Sequence, residues 1–405
     1  MRYILLSYLV LLAIPQLSAE QPSLFLAPTV PPRVDAEELI VSRRFTRAEP
    51  LMLNVERLVA VTEKADFELS FLGIKPTVCS MAPLQPVSES SRGWHGTFDG
   101  GSITLILRPI EVKDGTQLPQ AFVAAGTIQA GAALYQIRQA AEGLVLVREV
   151  DYGSLPNELE PIVPDVEMNA TAAPDAVSAP QQFTVAVFYT SKALAGEGGT
   201  SQMESLIDLA ITETNTAYAN SGVNARLALV HKSITTDAES GGFKGMLEAM
   251  QNPSDGRMDE VHAARNTHKA DLVILICDDS TSCGLAYQMS TRSSSFERWA
   301  FSVVNRDCAT GYYSFAHELG HNMGCCHDAA HPEANPIYPY AYGWHFEVGL
   351  SGEQVRTIMA YAPGKRIQYF SNPDVSIGIY PTGKAGEANN ALTINNTAST
   401  VAAFR

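Results

Sequence analysis

The sequence predicts a two-domain α/β (α+β) protein: a β-rich domain, then a domain built on a mostly parallel twisted sheet. Three observations carry this expectation. Short apolar runs separated by Gly, Pro and Asp fill residues 20–154, as in small all-β domains. From Phe183 onward, strand-like runs alternate with helical patterns. Between them, residues 155–182 are rich in Pro, Ala, Glu and Asp and have no apolar period. A length of 405 residues accommodates two such domains.

The chain opens with Arg2, an apolar run over residues 3–14, and small residues ending at Ala19. This is the pattern of a signal peptide over residues 1–19, too short for a confident membrane span. In residues 20–154, the runs 103–107, 121–124 and 144–147 read as strands, residues 94–98 and 126–128 alternate as strands do, and residues 64–72 are a further candidate. The linker, residues 155–182, contains Pro156, Pro161, Pro164, Pro174 and Pro180. It is expected to be exposed, and exposed linkers are where proteases cut.

In residues 183–405, residues 183–189 read as a buried strand. Leu206, Ile207, Ala210, Ile211, Thr214, Ala217 and Tyr218 form a broad apolar helix face. Residues 226–230 make a second strand, and Met258, Val261, His262 and Arg265 a second helix. Residues 271–277 are almost continuously apolar, as a central strand of a parallel sheet should be. Residues 283–287 and 299–304 complete the sheet. A last helix is expected to start at Asn389 or Asn390 and to include Ile394, Ala398 and Val401.

Between the sheet and that last helix lies the stretch His317-Glu318-Leu319-Gly320-His321-Asn322-Met323-Gly324-Cys325-Cys326-His327-Asp328. On a helix, positions i and i+4 lie one above the other, so His317 and His321 can grip one cation. Gly324 permits a sharp turn through positive φ, which would return His327 as a third ligand. Three protein ligands leave a fourth position for water, the catalytic rather than the structural arrangement of zinc. Glu318 is placed to take a proton from a metal-bound water. Tyr312, Phe315, Leu319 and Met323 are expected on the opposite, core-facing side of the helix.

Net charge is −15 with no long run of one sign, which argues against nucleic acid or an anionic membrane surface as partner. Six cysteines suit an oxidising compartment. Cys79 is alone in the first half; Cys277, Cys283, Cys308, Cys325 and Cys326 make an odd number in the second. His95, His231, His262, His268, His331 and His345 have no ligand spacing.

The motif resembles that of the metzincin metallopeptidases, whose second marker is a methionine turn beneath the metal. Thr357-Ile358-Met359-Ala360-Tyr361 stands where that turn is expected. The order of strands and helices is similar to the metzincin upper subdomain, followed by an irregular C-terminal subdomain. Phe370-Ser371-Asn372-Pro373, Pro381-Thr382-Gly383 and the last helix look like the bacterial peptidyl-Asp metalloendopeptidases and their reprolysin/adamalysin-like relatives. The resemblance covers residues 183–405. The paired Cys325-Cys326 inside the motif departs from it.

The resemblance implies a secreted zinc endopeptidase made as a zymogen, with residues 20–154 as inhibitory propeptide and activation cleavage in the linker. One catalytic zinc ion would sit on His317, His321 and His327, with Glu318 as general base. A calcium ion stays open as a second cofactor, although nothing in the sequence supports one. Tyr361 would stabilise the tetrahedral intermediate or simply pack under the site. Gly284, Leu285 and Ala286 would form an exposed sheet edge that holds an extended peptide. The segment after the methionine turn walls the pocket beyond the scissile bond. Lys365 and Arg366 in that segment suit an Asp side chain there, unless both are solvated. Cys79 would ligate zinc in the latent form, form a disulfide, or remain a buried thiol. Asp328 would accept a hydrogen bond in the ligand loop or serve as a surface cap. Expected partners are protein or peptide substrates and the chain's own propeptide, and the expected state is a monomer. Two other readings stay open: a catalytically silent zinc-fold binding module, and a zinc hydrolase of a non-peptide substrate.

Overall fold

The computed structural model describes residues 21–28, 44–84, 87–88, 90–109, 122–141, 143–170, 180–332, 335–350 and 352–405. The expected signal peptide lies outside them. Among the described residues, the first half forms one antiparallel sheet of nine strands: β1 (Phe25–Leu26), β2 (Phe45–Leu53), β3 (Ala65–Leu69), β4 (Thr77–Pro83), β5 (Arg92–Phe98), β6 (Gly101–Pro109), β7 (Phe122–Ala130), β8 (Ala133–Ala141) and β9 (Leu144–Val150). Their order is β1-β2-β9-β8-β7-β6-β5-β4-β3.

Successive residues of a strand face opposite sides of the sheet. On β6, Ile103, Leu105 and Leu107 enter one core with Phe67, Trp94 and Ile137. Ile106, on the other face, packs with Ala125 against Leu209 of the helix Thr200–Asn220. Burial on both faces explains why residues 103–107 read as a continuous apolar run rather than an alternating one. Polar contacts join the same two surfaces. Arg108 pairs with Asp208 and lies 3.0 Å from Glu204. The Thr127 hydroxyl donates to Glu213 Oε1 at 2.5 Å. The N-terminal sheet is therefore docked on the second half of the chain.

That half is built on the mixed sheet of β10 (Gln181–Tyr189), β11 (Ala225–Ile234), β12 (Leu272–Cys277), β13 (Gly284–Ala286) and β14 (Phe301–Asn305), in the order β11-β10-β12-β14-β13. All neighbours run parallel except β13, which is antiparallel to β14. Every residue of β12 is buried, as its unbroken apolar sequence demands. The helix Ser314–Asn322 packs on β13 and β14, and the last helix, Asn390–Val401, is capped by the Asn389 side chain accepting from Leu392 N at 2.9 Å. One disulfide, Cys283–Cys308, ties the start of β13 to the segment after β14.

Two expectations need correction. The helix Ser314–Asn322 is buried on every side, not on one stripe, and Tyr312 precedes it. Phe315, Leu319 and Met323 join the main core, whereas Tyr312 clusters with Cys283, Cys308 and Leu155. The linker is also not exposed throughout. Its first part lies on the outer edge of β13: Leu159 N donates to Gly284 O and Ile162 N to Ala286 O, both at 2.9 Å. The bridge between Ile162 and Tyr287 is parallel. The edge of β13 needs hydrogen-bond partners, and an extended, polar chain satisfies them without an apolar period. No helix of the described residues is long and apolar enough to cross a membrane.

Candidate active site

The helix Ser314–Asn322 ends in a turn that depends on Gly324, whose φ is +90°. A Cβ there would meet Ile337 Cγ2 at 2.8 Å, so both conformation and space favour glycine. Cys325 N returns to Gly320 O at 2.9 Å, closing the helix end. The strand that follows, β15 (Cys326–Asp328), carries His327 back over the helix.

The Nε2 atoms of His317, His321 and His327 then lie 3.1 Å from one another, each residue fully buried. His317 Nδ1 donates to Ile358 O and His321 Nδ1 to Cys325 O, both at 2.9 Å. Burial keeps both rings neutral, pushing His317 down to about 3 and His321 well below the usual range. A neutral imidazole that donates through Nδ1 has a bare lone pair on Nε2. The 3.1 Å contact between these two nitrogens is thus not a hydrogen bond; two lone pairs face each other, which only a cation between them would stabilise. A tetrahedral zinc site with Zn–N of about 2.0–2.1 Å places its ligand nitrogens about 3.3 Å apart, close to what is seen. The carbonyl partners of Nδ1 are also what fixes tautomer and ring orientation in such sites. His317, His321 and His327 fit a zinc ion.

Glu318 is fully buried beside this triad, and neither carboxylate oxygen has a hydrogen-bond partner among the described residues. Burial, then the nearby Glu158 charge, raises its pKa well above the usual carboxylate range. Gly284 on β13 makes room for it: a Cβ on Gly284 would meet Glu318 Oε1 at 2.1 Å.

Beneath the triad lies Met359. A Cβ on Gly320 would meet Met359 Sδ at 2.6 Å, so the helix rests on the methionine through a glycine. The preceding residue, Ile358, supplies the carbonyl that orients His317. Asp328 joins the ligand strand to this turn. It accepts from Tyr361 N and Ala330 N at 3.0 Å, and from His331 Nδ1 at 3.0 Å. His345 Nε2 lies 3.3 Å from its other oxygen. The Tyr361 ring stacks on His327 with centroids 3.9 Å apart.

Lys365 and Arg366 diverge. Lys365 reaches the Gly131 carbonyl of the N-terminal sheet. Arg366 is fully buried and forms a two-pronged pair with Glu158 of the linker, Nη1 to Oε1 at 2.5 Å and Nη2 to Oε2 at 2.9 Å. The reading of both cations as solvated is therefore corrected. Ser314 Oγ donates to the same carboxylate at 2.6 Å. Burial alone would raise the Glu158 pKa; the Arg366 guanidinium overrides this and holds it well below the usual range. Two residues on, Glu160 Oε2 lies 3.6 Å from His327 Nδ1.

Cys79 does not join the site. It sits on β4 in the core of the N-terminal sheet, with Sγ 3.5 Å from Met81 Sδ. The reading of Cys79 as a zinc ligand is corrected accordingly. On β4, Cys79 and Met81 are buried while Val78 and Ser80 are not. Glu158, Glu160 and the support given by Gly320 were not visible in the sequence.

A model of metallo-peptidase family M12, of the reprolysin type, matches residues 179–371. The peptidyl-Asp metalloendopeptidase of Xanthomonas campestris pv. campestris is 37% identical over 290 residues, which is 69% of this chain and 67% of that one. Its namesake in Stenotrophomonas maltophilia (strain R551-3) is 34% identical over 361 residues, 85% of this chain and 84% of that one. This chain belongs to the M12 metallopeptidases. It is a metalloendopeptidase, and the triad on Ser314–Asn322 and β15 lies within the matched residues. Among solved structures, metalloproteinase-II of Bacteroides fragilis aligns with a TM-score of 0.42 and 14% identity, over 67% of this chain and 84% of that one.

Proposed function

We propose that this M12 metallopeptidase is a secreted zinc endopeptidase made as a zymogen, and that it prefers to cut before Asp. The observation that carries the reading is the meeting of three imidazole Nε2 atoms, 3.1 Å from one another, with the carboxylate of Glu318, which has no hydrogen-bond partner among the described residues. His317, His321 and His327 would hold the ion. When bound, zinc supplies a Lewis acid for the scissile carbonyl and makes water acidic enough to ionise near neutral pH. Glu318 accepts the proton of the attacking water and delivers it to the leaving amine. Gly284, Leu285 and Ala286 offer backbone groups along which an extended substrate lies. Tyr361, held against His327, donates its hydroxyl to the oxygen that becomes negative in the tetrahedral adduct.

The preference for Asp rests on two supports. The relatives bear the name peptidyl-Asp metalloendopeptidase, and Arg366 here already grips a carboxylate beside the triad. Residues 20–154 serve as the propeptide, and residues 155–182 hold the activation cleavage. The signal-like residues 1–19 direct the chain out of the cytoplasm. Mass spectrometry of a proteome digest tests the specificity. The processed enzyme should yield peptides that begin with Asp; a profile dominated by large apolar residues would overturn the preference and leave the metal chemistry standing.

A further inference from the structure

We propose that Glu158 is a built-in mimic of the substrate's acidic side chain, so that one receptor serves both specificity and latency. The inference rests on the reading of Arg366 given under Proposed function. It begins with the path of the linker. In an extended chain, alternate residues face the same way. Leu159 is 43% exposed and Glu158 beside it is buried, while Glu160 stays exposed with one carboxylate oxygen 3.6 Å from His327 Nδ1. Glu158 goes to Arg366 and Glu160 towards His327, so two carboxylates straddle the metal-binding residues. An oxygen of Glu158 lies within 4.8 Å of a ligand atom of His317 and of a carboxylate oxygen of Glu318.

The groups that receive Glu158 all belong to the catalytic half. Arg366 supplies a two-pronged fork and Ser314 a hydroxyl, and the Tyr312 carbonyl steadies Nη1 from behind at 2.9 Å. The Tyr312 ring lies under the guanidinium, 4.4 Å from its carbon. Such a fork recognises any carboxylate of suitable reach and rejects a neutral side chain. Buried as it is, the fork without an anion would be costly, so departure of Glu158 leaves a receptor that demands another carboxylate. The linker also occupies the backbone groups of β13. Leu159 and Ile162 take the carbonyls of Gly284 and Ala286, and Cys283 N and Gln288 N donate to Asn157 and Ile162 at 3.2 and 2.9 Å. A peptide with an acidic side chain needs both sets of partners. The linker therefore competes as a substrate would, through its edge hydrogen bonds and its carboxylate together.

Two measurements on the full chain test this. In the unmodified protein, excess N-acetyl-aspartate amide should displace the segment and accelerate hydrogen exchange at Leu159 and Ile162 by about tenfold, with no effect from N-acetyl-asparagine amide. In Glu158→Gln, kept intact, cleavage of an Asp-containing peptide should rise about tenfold over the parent while its Leu counterpart does not. Exchange that ignores both amides overturns the proposal, even should Glu158→Gln fail to fold. Equal gains for Asp and Leu peptides also overturn it, because the segment would then block by bulk alone. A processed enzyme that prefers Asp, together with unmoved exchange, sinks this inference only. A processed enzyme with no acidic preference sinks the reading of Arg366 on which it rests.

Discussion

Gly284 and Glu318 share a single space: a Cβ on Gly284 would lie 2.1 Å from Glu318 Oε1 and 2.7 Å from its Cγ. The edge strand and the proposed base are thus positioned by each other. Glu318 is not one of the three residues proposed to hold the metal. Gly284→Ala should therefore keep a full complement of zinc and lower kcat by about 10², the usual contribution of a well-placed acid–base group. Metal analysis beside steady-state kinetics checks this. Parent-like kinetics in Gly284→Ala would show that the carboxylate is not held where it acts.

Gly320 and Met359 make a second tight contact, and there packing rather than chemistry is at stake. Gly320→Ala drives a Cβ to 2.6 Å from Met359 Sδ and 3.3 Å from Phe370 Cε1. Overpacking of this kind costs about 1–3 kcal/mol. Met359→Ala in the same chain should recover part of that loss, because it removes the atom in conflict. Urea unfolding of the two single variants and the double variant measures the coupling; strict additivity would place the two residues out of contact.

Glu213 predicts a pH dependence for the docked N-terminal sheet. Burial raises its pKa from 4.5 to about 7, against the opposing hydrogen bonds from Thr127 and Gly311 N. The folded protein then holds a proton that the unfolded chain releases above pH of about 4.5. Stability from this residue is full below that pH, falls as pH rises, and is lost above about 7. Unfolding of the full chain between pH 5 and 8 should show this decline, and Glu213→Gln should flatten it. An unchanged slope in Glu213→Gln would assign the decline to other groups.

Cys79 carries the opposite expectation. Burial pushes its thiol up to about 12, where no useful thiolate forms near neutral pH. Cys79→Ala should leave the full-length protein as latent as the parent, and its zinc-edge spectrum should show only nitrogen and oxygen neighbours. A sulfur neighbour in the parent that vanishes in the variant would restore the cysteine to the site.

The proposed metal-binding residues were legible because their geometry is local. A one-turn spacing and one glycine place His317, His321 and His327 almost without help from the rest of the fold. The central strand β12 was legible for a similar reason, since only a doubly covered strand is apolar at every position. Glu158 was not legible. Its burial depends on Arg366, 208 residues away in sequence, and a carboxylate in a proline-rich stretch looks like solvated linker until that partner is known. The docking of the N-terminal sheet was hidden likewise, because Arg108, Thr127, Asp208 and Glu213 are ordinary surface residues until they face one another. Three readings of Cys79 were open, and the buried thiol is the one observed; being the lone cysteine of its half says nothing of where it lies.

The most direct test of a zinc endopeptidase with Glu318 as its base is to measure zinc content and peptide cleavage together in the processed parent and in Glu318→Ala. The three imidazoles are untouched by the substitution, so both proteins should hold one zinc ion per chain, while the variant cleaves at least about 10² more slowly. A variant that keeps its zinc and cleaves at the parent's rate would contradict the account.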